Sequence, residues 1–215
     1  MDKRTDVFGH YVSGGMARDD LVRFLRELDE HLGQYAALMW GYSGEEDEDV
    51  YLYRETFPEI LRKSFIVMLV VHVEQEMKEL AAAMKKAFDT RLALGDLGGS
   101  VAERFLKFAS KVADLDVQLT GGEREDFLAV FDMRNCLVHA NGSLASFGKR
   151  GSVEAFCGRH GRPEISDGML VINREDCLLC FDSLSRPLDK IYSAAIEEAE
   201  RRDAQELATP QPNES

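Results

Sequence analysis

Arginine, asparagine and histidine occur within six residues of this chain, in Asp132-Met133-Arg134-Asn135-Cys136-Leu137-Val138-His139-Ala140-Asn141-Gly142. An imidazole can take or give a proton near neutral pH. A guanidinium is a planar, permanently charged fork that matches phosphate oxygens. A primary amide can orient either group by hydrogen bonding. On a helix Asn135 and His139 stand at i and i+4 and share a face. Arg134 projects about 100° away, and its long side chain can bend back. His139 falls in the last turn, where the partial negative charge of the helix end favours the imidazolium.

The elements that must position these groups read as helices. Residues 1–18 hold Gly9, Gly14 and Gly15 with no clear period and are expected to be a mobile lead-in. A first helix is expected from Asp19 or Asp20 to about Gly41, with Leu21, Phe24, Leu25, Leu28, Leu32, Tyr35 and Met39 on one face. Glu45 to Asp49 reads as a solvated acidic loop. A second, longest helix starts at Thr56-Phe57-Pro58, where proline suits the first turn. It runs through Phe65, Leu69, His72, Met77 and Met84 to glycines at 95, 98 and 99. Ser100 with Glu103, and Thr120 with Glu123, are capping-box patterns that start two more helices. The second of these carries the Arg134–His139 segment and ends at Asn141-Gly142. Residues 143–172 read as one short β-hairpin or an irregular excursion: Val153, Ala155 and Cys157 alternate, and Asp167-Gly168 is a turn. Asn173 caps a final helix, with Pro187 expected to kink or split it. The expected fold class is all-α: a bundle of about five helices with a short hairpin before the last, as one domain over 19–202, with residues 203–215 a disordered tail.

The Arg134-Asn135-x-x-x-His139 segment resembles the signature of the HEPN superfamily, an Arg and a His separated by four to six residues with a polar residue after the Arg. Phe57-Pro58-Glu59-Ile60-Leu61-Arg62-Lys63-Ser64-Phe65 running on to Glu74 looks like that family's first core helix. Val171-Ile172-Asn173-Arg174-Glu175 looks like the entry to its last. The resemblance covers about residues 50–196 and leaves out residues 1–49. It implies a metal-independent endoribonuclease with no cofactor, acting as a homodimer in which both copies of Arg134 and His139 line one cleft, as a toxin or defence effector. A nucleotidyltransferase-like antitoxin or other regulatory protein is a further implied partner. Cleaving RNA by attack of its own 2′-OH needs a base, a cation for the phosphorane oxygens and an acid for the 5′-oxygen. One motif supplies too few groups for these roles, and a two-fold pair supplies enough.

Other residues keep two readings. Glu74 either pairs with Arg134 or is a surface acid. His72 reads as a core or interface histidine. Lys149-Arg150 and Arg159-His160-Gly161-Arg162 are the dense basic patches outside the motif, so Lys149, Arg150, Arg159 and Arg162 are the expected RNA phosphate contacts. Cys157, His160, Cys177 and Cys180 form CxxH and CxxC pairs with sixteen residues between them, spacings compatible with a structural zinc. Inside an apolar helix Cys177 and Cys180 read instead as small core residues. Arg134 and His139 themselves read alternatively as a structural pair, which would make the protein a non-catalytic helical dimer binding a protein or a nucleotide.

Composition bounds these readings. The 215 residues carry a net charge of −13 with 45% apolar and 30% charged residues. Residues 45–55 and 197–215 hold net charges of −5 and −4. This excludes a generally basic nucleic-acid coat and disfavours anionic membranes, and leaves room for a local basic cleft. The longest apolar run, Phe65 to Val71, is far short of the roughly 20 residues of a spanning helix. With no export signal evident, the four cysteines are expected to stay reduced, in a cytoplasmic protein.

Overall fold

A computed structural model describes residues 3–43 and 48–208. Of the described residues, 80% are helical. Its elements are α1 (Lys3–Ser43), α2 (Glu48–Tyr51), a π-helical turn at Leu52–Thr56, α3 (Phe57–Ala87), a 3-10 turn at Leu94–Asp96, α4 (Val101–Lys107) running into a second π-turn at Phe108–Val112, α5 (Gly121–Ala140), α6 (Arg150–His160), the strands β1 (Glu164–Ser166) and β2 (Met169–Val171), and α7 (Arg174–Ala208). The all-α class expected from the periodicity holds, with the two-stranded antiparallel β1–β2 ribbon as the sheet.

Several boundaries follow from local chemistry. Ser100 caps α4: its hydroxyl accepts from the Glu103 amide while the Glu103 carboxylate accepts from the Ser100 amide. Asn173 and Asp176 make the same reciprocal exchange at the head of α7. Asp167 and Gly168 both take left-handed φ, 50° and 76°, which suits a two-residue hairpin turn. α5 stops where Asn141 and Gly142 take φ of 49° and 84°, and the Gly142 amide donates back to the Cys136 carbonyl.

Other expectations are corrected. Residues 3–18 are helical, the first part of α1, rather than a lead-in. Val7 is buried, and so is Gly14, at whose position a Cβ would lie 2.3 Å from Glu76 Oε1. Gly14 is therefore an approach point for a side chain, not a helix breaker. Glu48 and Asp49 open α2 instead of lying in a loop, and residues 45–47 lie outside the described residues. Residues 150–160 are helical, with Val153, Phe156 and Cys157 buried at helical spacing, so only 164–171 form the hairpin. α7 continues through Pro187 without splitting, with Leu184, Leu188, Ile191 and Tyr192 buried around it. It also continues past 203 to Ala208, and residues 209–215 of the expected tail lie outside the described residues.

The chain groups into two compact units. Unit 1 comprises the described parts of Met1–Gly15, Val73–Thr120 and Arg186–Ser215; unit 2 comprises Met16–His72 and Gly121–Ser185. Unit 1 is centred on Met77, Leu80, Met84, Phe105, Phe108 and Tyr192, all fully buried. Tyr192 lies against Tyr11 with ring centroids 5.2 Å apart. Unit 2 is centred on Phe65, Leu69, Phe127, Met133, Phe156 and Cys180.

Candidate functional site

Helix α5 carries the motif. It is fixed within unit 2 by buried Phe127, Val130, Phe131, Met133, Cys136 and Leu137. Phe127 and Phe131 touch with centroids 5.3 Å apart. The Cys180 thiol of α7 meets the Met133 sulfur at 3.7 Å. This packing leaves Arg134 and Asn135 half-buried and His139 exposed. Arg134 Nη1 donates to Asn135 Oδ1 at 3.0 Å. With its oxygen so engaged, Asn135 offers its amide hydrogens onward. His139 stands one turn later, beside Val138, which is 49% exposed. An accessible imidazole thus follows a guanidinium whose orientation is fixed by a neighbouring amide.

The expected phosphate contacts are placed differently from one another. Lys149 Nζ lies 3.1 Å from Asp132 Oδ1, two residues before Arg134. Arg159 grips α5 from α6: Nε and Nη2 donate to Asp126 Oδ1 at 2.9 and 2.5 Å, and Nη1 donates to Glu125 at 3.0 Å. His160 Nε2 is 2.8 Å from Asp126 Oδ2, with its ring on Phe156. Arg162 Nε is 3.9 Å from the buried Asp176. Arg150 is exposed and makes no side-chain hydrogen bond or ion pair among the described residues. Three of the four cations therefore answer acids of the same chain. The sequence held no local signal for this, because Asp126 and Arg159 are 33 residues apart.

Glu74 is half-buried on α3 and belongs to unit 1, whereas Arg134, Asn135 and His139 belong to unit 2. His72 is half-buried, with Nε2 shielded from solvent and without a hydrogen bond among the described residues.

The four thiols are free and buried. Burial pushes the Cys157 thiol up to about 11 and the Cys177 thiol up to about 12, and holds Cys180 well above its ordinary value. These are protonated, inert side chains in a core. His160, turned to Asp126, does not join them. Among the described residues no group of three or more His, Cys, Asp or Glu is placed to hold a metal ion.

A groove of about 700 Å³ also lies in unit 2, between Val50–Lys63 and β2. Its cations are matched: Arg62 holds Asp29 at 2.7 Å, Lys63 meets Glu59 and Arg54 meets Glu55. No described helix is long and apolar enough to cross a membrane. A scan of protein-family models, a search of curated proteins and a search of solved structures each found no match for this chain.

Proposed function

We propose that the protein is a metal-independent endoribonuclease of HEPN type, with Arg134, Asn135 and His139 of two copies forming one site. The observation that carries this reading is the pairing of a guanidinium, oriented by Asn135, with an exposed imidazole one turn later on the same helix. One His139 accepts the proton of the RNA 2′-OH as its oxygen bonds to phosphorus. The partner copy's imidazolium protonates the departing 5′-oxygen as the P–O bond breaks. Arg134 holds the non-bridging oxygens, whose charge grows as the fifth bond forms. The products are a 2′,3′-cyclic phosphate and a 5′-OH. Arg150 is the expected cation for the flanking backbone, since the other three are engaged within the chain. Cytoplasmic action as a toxin or defence effector, held by a regulatory protein, belongs to the same proposal.

The test is RNA cleavage in EDTA, with end-group analysis of the products. His139→Ala and Arg134→Ala are each expected to lose about a hundredfold or more in rate while keeping wild-type circular dichroism. Cyclic-phosphate ends from wild type alone support the assignment. No cleavage by a folded dimer across varied RNAs would move the conclusion to the non-catalytic module that binds a protein or nucleotide.

A further inference from the structure

Unit 1 holds a pocket of about 300 Å³ outside the motif and outside every cluster discussed so far. Lys78, Ala81, Ala82 and Lys85 supply one wall from α3. Their spacing of three, four and seven residues puts them on a single helix face. Arg104 and Val101 come from α4, and the turn at Ala93–Gly95 closes a third side. The lining thus has three cations and no carboxylate.

No acid pairs with these cations among the described residues. Lys78, Lys85 and Arg104 make no side-chain hydrogen bond or ion pair among the described residues. Arg104 Nε is shielded from solvent with no acceptor. A buried guanidinium N–H left without an acceptor costs free energy in an empty pocket, and a bound oxyanion would remove that cost. The nearby acids are occupied elsewhere: Asp96 accepts from the Ala93 amide at 2.8 Å, and Glu79 accepts from Gln75 at 2.7 Å. In a protein of net charge −13, three unmatched cations around one concavity are a local reversal of sign.

We infer that this pocket binds the phosphate group of a small phosphorylated molecule. A phosphate monoester carries nearly two negative charges at neutral pH and three acceptor oxygens, enough for the two lysines and the arginine fork. Ala81, Ala82, Ala93, Leu94 and Val101 offer apolar surface to the group that the phosphate is attached to. Small-molecule sites span roughly 300 to 1,000 Å³, so this one fits a single sugar or similar small moiety and excludes a dinucleotide.

The test is calorimetry on the full-length chain with inorganic phosphate, ribose 5-phosphate and a short single-stranded RNA as separate probes. Ribose 5-phosphate is expected to bind saturably, more tightly than inorganic phosphate, and more weakly as salt rises. Lys78→Gln with Lys85→Gln, at an exposed and a half-buried position outside the apolar core, is expected to weaken it about tenfold or more, and Arg104→Lys to weaken it again by removing the fork. No saturable heat with either small phosphate, or equal affinity in the lysine double variant, overturns the proposal. Binding of the RNA alone also overturns it and makes the pocket a nucleic-acid contact.

Discussion

On the α5–α6 face Lys149 reaches Asp132 and Arg159 grips Glu125 and Asp126, whereas the α3–α4 pocket gathers Lys78, Lys85 and Arg104 with no acid in its lining. Both regions bring several cations together. In the first, the cations are consumed in fastening one helix to another. In the second, they stand ready for an anion from outside. A dense run of basic residues in a sequence therefore measures charge, and only the acids opposite decide whether that charge is available to a ligand.

The sharpest way to break this contrast is to remove the acid that holds the α5–α6 face. Asp126→Ala leaves His160 without its carboxylate and Arg159 with Glu125 alone, and is expected to lower unfolding free energy by about 2 kcal/mol, read as a lower urea midpoint at unchanged slope. A midpoint equal to wild type would mean that the Arg159–Glu125 pair and the packing of Val153 and Phe156 hold α6 without Asp126. On the other side of the comparison, Ser100→Ala removes the cap of the short helix that carries Arg104. It is expected to cost about 1 kcal/mol and to weaken phosphate binding in the same protein. Unchanged ribose 5-phosphate affinity would show that the pocket does not depend on how α4 is anchored.

A third pair sharpens the comparison within the basic patches themselves. Arg150→Gln is expected to raise KM for RNA a few-fold while leaving the melting temperature alone. Arg159→Gln is expected to do the reverse. The smallest effect concerns Asp176, fully buried at the head of α7. Burial raises its pKa above the usual carboxylate value, more than the Asn173 amide and Arg162 lower it. The folded chain therefore holds that proton more tightly than the unfolded one. The stabilisation is present at acid pH and is lost as pH rises through the folded value. Asp176→Asn keeps an acceptor for the Asn173 amide, so it should stabilise slightly at neutral pH and flatten the acid side of a pH–stability curve. Destabilisation at neutral pH would mean that the ion pair with Arg162 outweighs the burial.

Where local chemistry decides an element, the sequence was readable. The Ser100–Glu103 box, the Asn141-Gly142 stop, the Asp167-Gly168 turn and the Asn173 cap each depend on residues within a few positions, and each stands where expected, whereas at Phe57-Pro58 the backbone is already helical from Glu48 through the π-turn. The misreadings share a cause: a partner distant in sequence. Gly14 looked like a breaker because the Glu76 side chain beside it is 62 residues away. Helix α6 looked like alternation because Val153, Ala155 and Cys157 also fit a strand. The burial of Phe156, with Ala155 exposed, decides for the helix. The motif was legible as a local triplet, and the Arg134–Asn135 bond is between neighbours in sequence. The availability of the surrounding cations was not legible, because Asp126 and Asp176 answer them from other elements. Lys78 and Lys85 were visible as an i, i+7 pair, but Arg104 joins them only through the turn at 94–96.

The most direct test of the two-copy site is a mixing experiment. Wild type and His139→Ala are co-folded at varied ratios, and RNA cleavage in EDTA is measured at constant total protein. If one imidazole from each copy is needed, activity falls as the square of the wild-type fraction, because only wild-type pairs carry both. A linear fall would mean that a single chain's Arg134, Asn135 and His139 suffice, which contradicts the shared site.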